Sequence, residues 1–294
     1  MTRPITRGYF WVVLAALLWS TIGLFMRTLH DHYGFSALTL AFLRAGISCA
    51  ISASLLLVWR RDLLRLTRTS LAWLMLYGIV GVGVFYFVYT QAILVTSVTT
   101  AVVLLYTAPA FVALMARRVW GEPLTTRKLL VIGLAFAGCA LVVRAYDLTQ
   151  LGLNAVGILF GLGAGFTYAL FTMFSKAGMK QFSTWTLMTY ELFFGALFLL
   201  PFQNVHDLAI VIQQPGAWIF LLGLVLGPTL GAITAFNLGV REVPASNASV
   251  VATIEPVMAS LLAFVLLGER LEVWQLLGGA MVIAGAVWLS GQSR

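Results

Sequence analysis

Long apolar stretches alternate with short polar connections along the entire chain. A transmembrane helix needs about 20 mostly apolar residues, and ten stretches of the sequence meet that requirement. They predict helices over residues 8–28, 36–59, 70–94, 97–116, 126–146, 152–174, 183–202, 217–239, 245–267 and 272–290. The connections between them are too short for a soluble domain, so the pattern predicts an all-α membrane protein with ten transmembrane helices.

The composition agrees with this pattern. Hydrophobic residues make up 61% of the 294 residues and charged residues only 10%, and a soluble chain cannot bury that much apolar surface. The lipid bilayer is therefore the first predicted partner. Cys49 and Cys139 both lie in apolar stretches, which favours free thiols over a disulfide. The three histidines show no metal-ligand spacing, and we predict neither a metal nor another cofactor.

The net charge of +8 has two explanations, an anionic partner such as nucleic acid or the basic bias of cytoplasmic loops. With the N-terminus in the cytoplasm, the cytoplasmic segments hold fourteen lysines and arginines, Arg3 and Arg294 among them. The outer connections hold only Arg27, Arg144 and Arg270. This distribution predicts that both termini are cytoplasmic, and it explains the basic balance without a nucleic-acid partner.

The two halves of the chain resemble each other. Half of 294 residues is 147, and at that offset TTAVVLLYTAPAFVALMARRVWGEPL (99–124) aligns without a gap with SNASVVATIEPVMASLLAFVLLGERL (246–271). Pro109 then falls on Pro256, and Gly121-Glu122 falls on Gly268-Glu269. We predict two repeats, residues 1–147 and 148–294. Each holds five helices, an odd number, so the second repeat is predicted to be inverted in the membrane. Inverted repeats around a midplane site are typical of secondary transporters, although channels are also built this way.

The same segments resemble a known family. The tail TIEPVMASLLAFVLLGERLEVWQLLGGAMVIAGAVWL and its first-half version YTAPAFVALMARRVWGEPLTTRKLLVIGLAFAGCALVV are similar to EamA-type proteins of the drug/metabolite transporter superfamily. Within that superfamily the chain is most similar to bacterial exporters of aromatic amino acids. The resemblance covers nearly the whole chain. It implies a basket of ten helices in a bacterial inner membrane, with helices 1, 3, 4, 6, 8 and 9 around a central cavity, and export of small metabolites.

Polar and aromatic residues recur on the helix faces expected at the centre. On helix 9, Ser246, Thr253 and Pro256 share one face, and the equivalent face of helix 4 carries Thr99 and Tyr106. Aromatic faces pack apolar side chains and can face an ammonium group, while hydroxyls and amides can bind a carboxylate. The alternative for each aromatic residue is packing or anchoring at the membrane interface. The candidate substrate-binding residues are Trp19, Thr21, Tyr86, Tyr89, Thr99, Tyr106, Tyr168, Asn237, Ser246 and Thr253.

Three charged residues and two prolines within the spans are candidates for coupling or gating. Glu255 is either a proton or ammonium site or a structural carboxyl bonded to a neighbouring helix. Arg44 falls on Glu191 at the repeat offset, which suggests an ion pair between the halves or separate local partners. A charge within the bilayer requires some partner, because it costs at least about 2.5–3.5 kcal/mol when unpaired. Pro109 and Pro256 predict symmetric kinks that curve the cavity wall, and whether these kinks also act as hinges remains open.

These features predict a secondary transporter that exports amino acids, aromatic and other neutral ones, by alternating access and as a competent monomer. The alternatives are export of other small metabolites or drugs, and a pore without alternating access. An intramembrane enzyme is disfavoured because the predicted spans contain neither Asp nor His. Proton coupling through Glu255 and facilitated diffusion both remain open at this point.

Overall fold

The computed structural model describes residues 4–291, apart from the side chains of Pro4, Val205, His206, Ile210 and Ile212. Arg3 and Arg294, counted above as cytoplasmic, and the side chain of His206 lie outside this description. The long helices are α1 (Ile5–Tyr33), α2 (Ala37–Trp59), α3 (Arg68–Val95), α4 (Val98–Trp120), α5 (Thr126–Val142), α6 (Ala155–Gly178), α7 (Thr184–Phe202), α8 (Ala217–Glu242), α9 (Ala245–Leu267) and α10 (Val273–Ser290). A short helix, Val205–Gln213, lies between α7 and α8.

Within the described part of the chain, nine of these helices are long and apolar enough to cross a membrane. The protein is therefore a multi-pass membrane protein. The exception is α5, whose 17 residues lie at the lower limit of about 17 for a span. It ends at Val142 rather than at the predicted residue 146, whereas α1 continues to Tyr33 beyond the predicted residue 28. The count of ten spans stays a prediction.

The helix ends follow local sequence signals. The side chains of Ser36, Ser97 and Thr125 each accept a backbone N–H from the first turn of the helix that follows, which satisfies a donor that has no partner inside the helix. At the other end, Gly121 and Gly268 terminate α4 and α9 with φ of 68° and 69°. Only glycine adopts this left-handed conformation without steric cost. The Gly of each Gly-Glu pair is therefore a helix terminator.

Apart from a break in α1 at Ser20 and Thr21, which has no counterpart in α6, the main interruptions occur at equivalent places in the two halves. The regular helix of α4 breaks at Tyr106 and Thr107, and that of α9 breaks at Thr253, 147 residues further on. Each break lies just before Pro109 or Pro256, whose rings cannot be accommodated in a continuous helix. Likewise, α3 and α8 each contain a widened π-helical stretch, Gly78–Val84 and Leu226–Gly231. The predicted symmetric kinks are thus present.

Equivalent helices of the two halves also pack against equivalent partners in the opposite half. Helix α1 packs against α8 and α9, and its counterpart α6 packs against α3 and α4. The interface of α3 with α7 has a smaller counterpart in that of α8 with α2, and the interfaces of α2 with α7, α4 with α9 and α5 with α10 each join a helix to its own counterpart. This is the pattern expected if the two halves are related repeats, and their inverted arrangement stays a prediction.

The helices pack closely against one another inside the bundle and expose large apolar side chains on its outer surface. Gly165 of α6 lies so close to α4 that a Cβ atom there would stand 2.8 Å from the Leu104 carbonyl oxygen. Small residues permit such close approach between membrane helices. Large apolar side chains such as Leu159 and Ile219 are exposed instead, at 73% and 72%, as expected for a surface that faces lipid.

Candidate functional site

A cavity of about 740 Å³ lies at the centre of the bundle. Helices of both halves contribute to it, chiefly α1 to α4, α6 and α9, with Ile233 of α8 and the end of α5. Its size falls in the range of about 300–1,000 Å³ that is usual for small-molecule sites. Its wall is dominated by aromatic side chains, which are Trp19, Phe85, Tyr86, Tyr89, Tyr106, Tyr168 and Phe171.

Five of the ten predicted substrate-binding residues line this cavity. They are Trp19, Tyr86, Tyr89, Tyr106 and Tyr168. The rings also pack against one another: the Trp19 ring centroid lies 6.3 Å from that of Tyr168. Phe85, which the sequence analysis did not select, stacks on Tyr168 at 5.3 Å. The aromatic residues therefore form a rigid wall that serves packing and faces the cavity at the same time.

The five small polar candidates do not line the cavity, and the sequence-based placement of them is corrected here. The Thr21 and Thr253 hydroxyls donate to backbone carbonyls of their own helices, at 2.7 and 2.6 Å. Asn237 is fully buried within the bundle. Ser246 lies at the far end of α9, bonded to Lys128, and Thr99 lies in the first turn of α4.

The reason for this difference is the break in α9. A continuous helix would place Ser246, Thr253 and Pro256 on one face. Because the regular helix stops at Thr253 and restarts at Ile254, the second half presents a different set to the cavity. Glu255, Pro256, Ala259 and Ser260 line it. Glu255, which the periodicity placed off the central face, is therefore on the cavity wall, and the hydroxyl of Tyr106 lies beside its carboxyl group.

Arg44 reaches the cavity from α2, a helix that the resemblance did not place at the centre. Its Nε donates to the Thr229 hydroxyl at 3.0 Å, and its guanidinium lies 5.0 Å from the centre of the Tyr86 ring. Cation–π contact of this kind stabilises a partly desolvated arginine. Thr229 and Tyr86 are thus the local partners that a buried cation requires.

Glu191 and Pro109 are not part of the cavity wall. The side chain of Glu191 is fully buried, beside Tyr77, where the backbone of α7 approaches Gly78 so closely that a Cβ there would stand 2.6 Å from the Glu191 carbonyl oxygen. It forms no ion pair with Arg44, so the suggested bridge between the halves is absent. Pro109 is buried at the start of the second half of α4.

The cavity extends to one end of the bundle only. Its lining includes Arg27, Ala37, Val98 and Val143, and the side chains of Arg27 and Val98 are exposed. These residues lie where α1 and α5 end and where α2 and α4 begin. In the orientation predicted from the basic residues, this end faces away from the cytoplasm.

Hydrogen bonds close the opposite end, most of them between the halves and those of Lys176 within the second half. The carboxylate of Glu122 accepts the backbone N–H of Ala245 at 2.8 Å and also bonds the backbone and hydroxyl of Ser246. Lys128 donates to the Ser246 hydroxyl at 2.8 Å. Lys176 donates to the carbonyls of Val240 and Val243 at 2.7 and 2.8 Å. Arg7 pairs with Glu242, and Asn247 donates to the Tyr9 hydroxyl at 2.8 Å.

The sequence analysis missed these closing residues. The only signal was the repeated Gly-Glu pair, which marks helix ends. Its two glutamates, although equivalent in sequence, have different partners in the structure. Glu122 caps the first turn of α9, whereas Glu269 at the open end pairs with Arg27 at 3.0 Å. Residues related by the repeat therefore occupy different environments.

Comparison with known proteins places the chain among transporters. The model of the EamA-like transporter family matches residues 6–144 and again residues 155–291. The chain is 32% identical over 283 residues to an uncharacterized transporter of Archaeoglobus fulgidus, covering 94% of this chain and 93% of the relative. It is 28% identical over 286 residues to the uncharacterized transporter YwfM of Bacillus subtilis, with 96% and 93% covered. For the uncharacterized inner membrane transporter YicL of Salmonella typhimurium, identity is 22% over 293 residues, with 98% and 96% covered. A solved crystal structure with 19% identity has the same fold, with a TM-score of 0.81 over 98% of this chain and 97% of that one.

Proposed function

The chain belongs to the EamA-like transporter family, and we propose that it is a secondary transporter that exports amino acids, aromatic and other neutral ones, by alternating access. Its relatives are transporters, so transport as such follows from the family. The substrate, the direction of transport, the bacterial inner membrane as its location and the kinship to aromatic amino-acid exporters belong to the proposal.

The observation that carries the proposal is the central cavity of about 740 Å³ between the halves. Its aromatic wall suits an apolar or aromatic side chain, because ring faces contribute large contact areas and favour stacked or edge-on packing. Arg44, Glu255 and Ser260 add a few polar groups to this wall. A cavity that combines a wide apolar wall with few polar groups fits an amphipathic solute better than an ion or a sugar.

The difference between the two ends supports alternating access. A transporter of this type exposes its central site to one side at a time, with the two repeats exchanging roles. Here one end of the cavity is open, and the other is closed by bonds from Glu122, Lys128 and Lys176. We propose an inverted arrangement of two five-helix repeats, residues 1–147 and 148–294, with cytoplasmic termini, ten spans and an outward-open state. The central site lies within one chain, so a monomer is sufficient.

The second candidate function is export of another small metabolite or a drug. The same cavity favours it, since about 740 Å³ exceeds the space that one amino acid needs. Competition separates the two functions. Unlabelled amino acids displace the substrate of an amino-acid exporter and leave the transport of an unrelated drug unchanged.

The test is uptake of labelled phenylalanine, tryptophan and threonine into liposomes that contain the purified protein, with and without a pH gradient. We expect saturable uptake that other amino acids inhibit. Trp19→Leu, which removes a ring from the cavity wall, lowers uptake, and the lipid-exposed Trp274→Leu does not. Uptake that never saturates indicates a pore. No uptake above empty liposomes, with the protein folded, contradicts the amino-acid proposal.

The pH gradient addresses the coupling. Acceleration of uptake by the gradient, lost in Glu255→Gln, identifies proton coupling through that carboxyl group. Equal uptake with and without the gradient identifies facilitated diffusion. Either result is compatible with the proposed substrate, so coupling and substrate are tested separately.

A further inference from the structure

We propose that Arg44 and Glu255 together form a binding site for a zwitterion, in which Arg44 binds the carboxylate of an amino acid and Glu255 binds its ammonium group. The inference rests on the proposed function and specifies how the cavity selects its substrate. It requires two opposite charges that face one cavity with an apolar wall and that are not paired with each other.

The first of these charges is poised for a carboxylate. Arg44 is 9% exposed and lines the cavity. Its Nε bonds Thr229, and among the described residues its two terminal nitrogens have no acceptor. Arginine binds a carboxylate best with two parallel N–H donors. Thr229 and the Tyr86 ring hold the guanidinium in place, which leaves the donors of the terminal nitrogens for a ligand.

The second charge is poised for a cation. Glu255 lines the same cavity, with its carboxyl group beside the Tyr106 hydroxyl. In the part of the chain that the structure describes, no lysine, arginine or histidine nitrogen lies within 4.0 Å of this carboxyl group. A carboxylate accepts at several positions, so the neighbouring Tyr106 hydroxyl leaves room for an ammonium group.

The two charged groups face the cavity without meeting. They form no ion pair, so their charged atoms are more than 4.0 Å apart. Arg44 acts on the Glu255 carboxyl group electrostatically across the cavity, but among the described residues neither group has an oppositely charged partner in contact. A ligand that carries one charge of each sign neutralises both groups at once and adds no net charge. An amine or a carboxylic acid with the same side chain satisfies one group and leaves the other uncompensated.

The aromatic wall then receives the side chain. Trp19, Tyr168 and Phe171 line the cavity together with the charged pair. Their rings are held by mutual contacts, such as the Trp19–Phe171 centroid distance of 6.4 Å, so little ordering is needed on binding. The charged pair selects the amino-acid group, and the rings accept a range of apolar side chains.

The experiment compares three probes that share one side chain: phenylalanine, phenethylamine, which lacks the carboxylate, and phenylpropionate, which lacks the ammonium group. Their affinities for the purified full-length protein are measured by equilibrium competition. For the wild type we expect phenylalanine to bind about 10- to 100-fold more tightly than either analogue, because each lacks one charge-assisted contact.

The variants identify which residue binds which group. Arg44→Gln weakens binding of phenylalanine and does not weaken binding of phenethylamine. Glu255→Gln weakens binding of phenylalanine and does not weaken binding of phenylpropionate. Two matched controls keep the preference for phenylalanine. Arg127→Gln removes another arginine that stacks on an aromatic ring, Trp288, and Glu272→Gln neutralises a carboxyl group that pairs with Arg144 away from the cavity.

The failures are distinguishable. Analogues that bind the wild type as tightly as phenylalanine overturn the zwitterion site, and this result does not depend on any variant folding. Variants that weaken all three probes equally overturn the assignment of Arg44 and Glu255. In both cases amino acids still bind, so the proposed function stands. Binding of none of the three probes to the folded wild type contradicts both.

Discussion

Replacement of Glu122 by glutamine should open the closed end of the bundle. In the structure the Glu122 carboxylate lies at the start of α9, where it accepts the backbone N–H groups of Ala245 and Ser246 at 2.8 and 3.3 Å and the Ser246 hydroxyl. Lys128 lies 3.8 Å away. These contacts join the loop after α4 in one half to α9 in the other. If the two ends of the bundle open in alternation, these contacts stabilise the present state and must break in the state that is open at the other end.

The size of the effect follows from the charge on this group. The Glu122 side chain is only 11% exposed, so solvent screens its contacts little. A hydrogen bond to a charged group contributes about 1.5–3 kcal/mol, and a negative charge at a helix N-terminus adds about 0.3–1 kcal/mol. Glutamine keeps one acceptor but loses the charge. We therefore expect a loss of about 2–4 kcal/mol, which shifts the equilibrium between the states by about 30- to 1,000-fold.

Distance measurements between spin labels detect this shift. Labels at Arg118→Cys and Arg241→Cys occupy exposed ends of α4 and α8 at the closed end, in a background without Cys49 and Cys139. The parent protein should give one short distance. Adding Glu122→Gln should add a longer distance as the major population.

The counterpart glutamate provides the matched control. Glu269 is 54% exposed and pairs with Arg27 at the open end, so Glu269→Gln should not lengthen the distance at the closed end. An unchanged distance distribution in Glu122→Gln, with the protein folded, would falsify the assignment of Glu122 as a closing contact. Equal lengthening in both variants would show a general loss of packing instead.

Three further predictions concern other parts of the molecule. Lys176→Met removes the donors that hold two carbonyls at the end of α8, and the same spin labels should report partial opening of the closed end. Gly165→Ala forces a Cβ against the α4 backbone, which should reduce the free energy of unfolding by about 1–3 kcal/mol and so lower the melting temperature. A Cβ at Gly163 meets nothing within 4 Å, so Gly163→Ala should leave the melting temperature unchanged. The Thr149 hydroxyl and backbone N–H hold the pKa of Asp147 below its ordinary value. The ionised Asp147 therefore stabilises its turn at pH values above the ordinary aspartate pKa, and this stabilisation is lost as the pH falls through the lowered pKa of Asp147. Hydrogen exchange of the turn should increase at low pH in the parent protein and should not change with pH in Asp147→Asn.

Much of the fold can be predicted from the sequence, because the bilayer imposes strong constraints. Apolar stretches of helical length must be helices when backbone groups have no water to bond. The repeat is also visible, since Pro109 and Pro256 mark where α4 and α9 break. The aromatic half of the site is predictable in part: Trp19 and Tyr168, near the centres of α1 and α6, line the cavity, whereas Phe166 of α6 is exposed.

The polar half of the site was not predictable, because it depends on the local geometry of one break. Thr253 and Glu255 are two residues apart and lie on different faces of an ideal helix. The interruption at Thr253 changes which of them faces the cavity. An argument from helical periodicity assumes a continuous helix. A proline in the sequence indicates where the helix breaks, but it does not indicate which residues face the cavity after the break.

The repeat also explains why sequence equivalence does not give structural equivalence. Related residues, such as Glu122 and Glu269, have different partners because one end of the bundle is closed and the other is open. The same holds at the centre, where Arg44 lines the cavity and its counterpart Glu191 is buried. If alternation exchanges these environments, the cavity replaces the guanidinium of Arg44 by the carboxylate of Glu191, and the carboxylate of Glu255 by Ala108, when it opens to the other side. A solute with a carboxylate then binds less tightly in that state.

This difference in binding changes the affinity on each face of the membrane but not the equilibrium distribution of the solute, because a carrier without an energy source cannot drive accumulation. The direction of transport must therefore come from the gradient of the solute or of a coupled ion. The difference between Arg44 and Glu191 sets only the affinity for the solute on each side of the membrane.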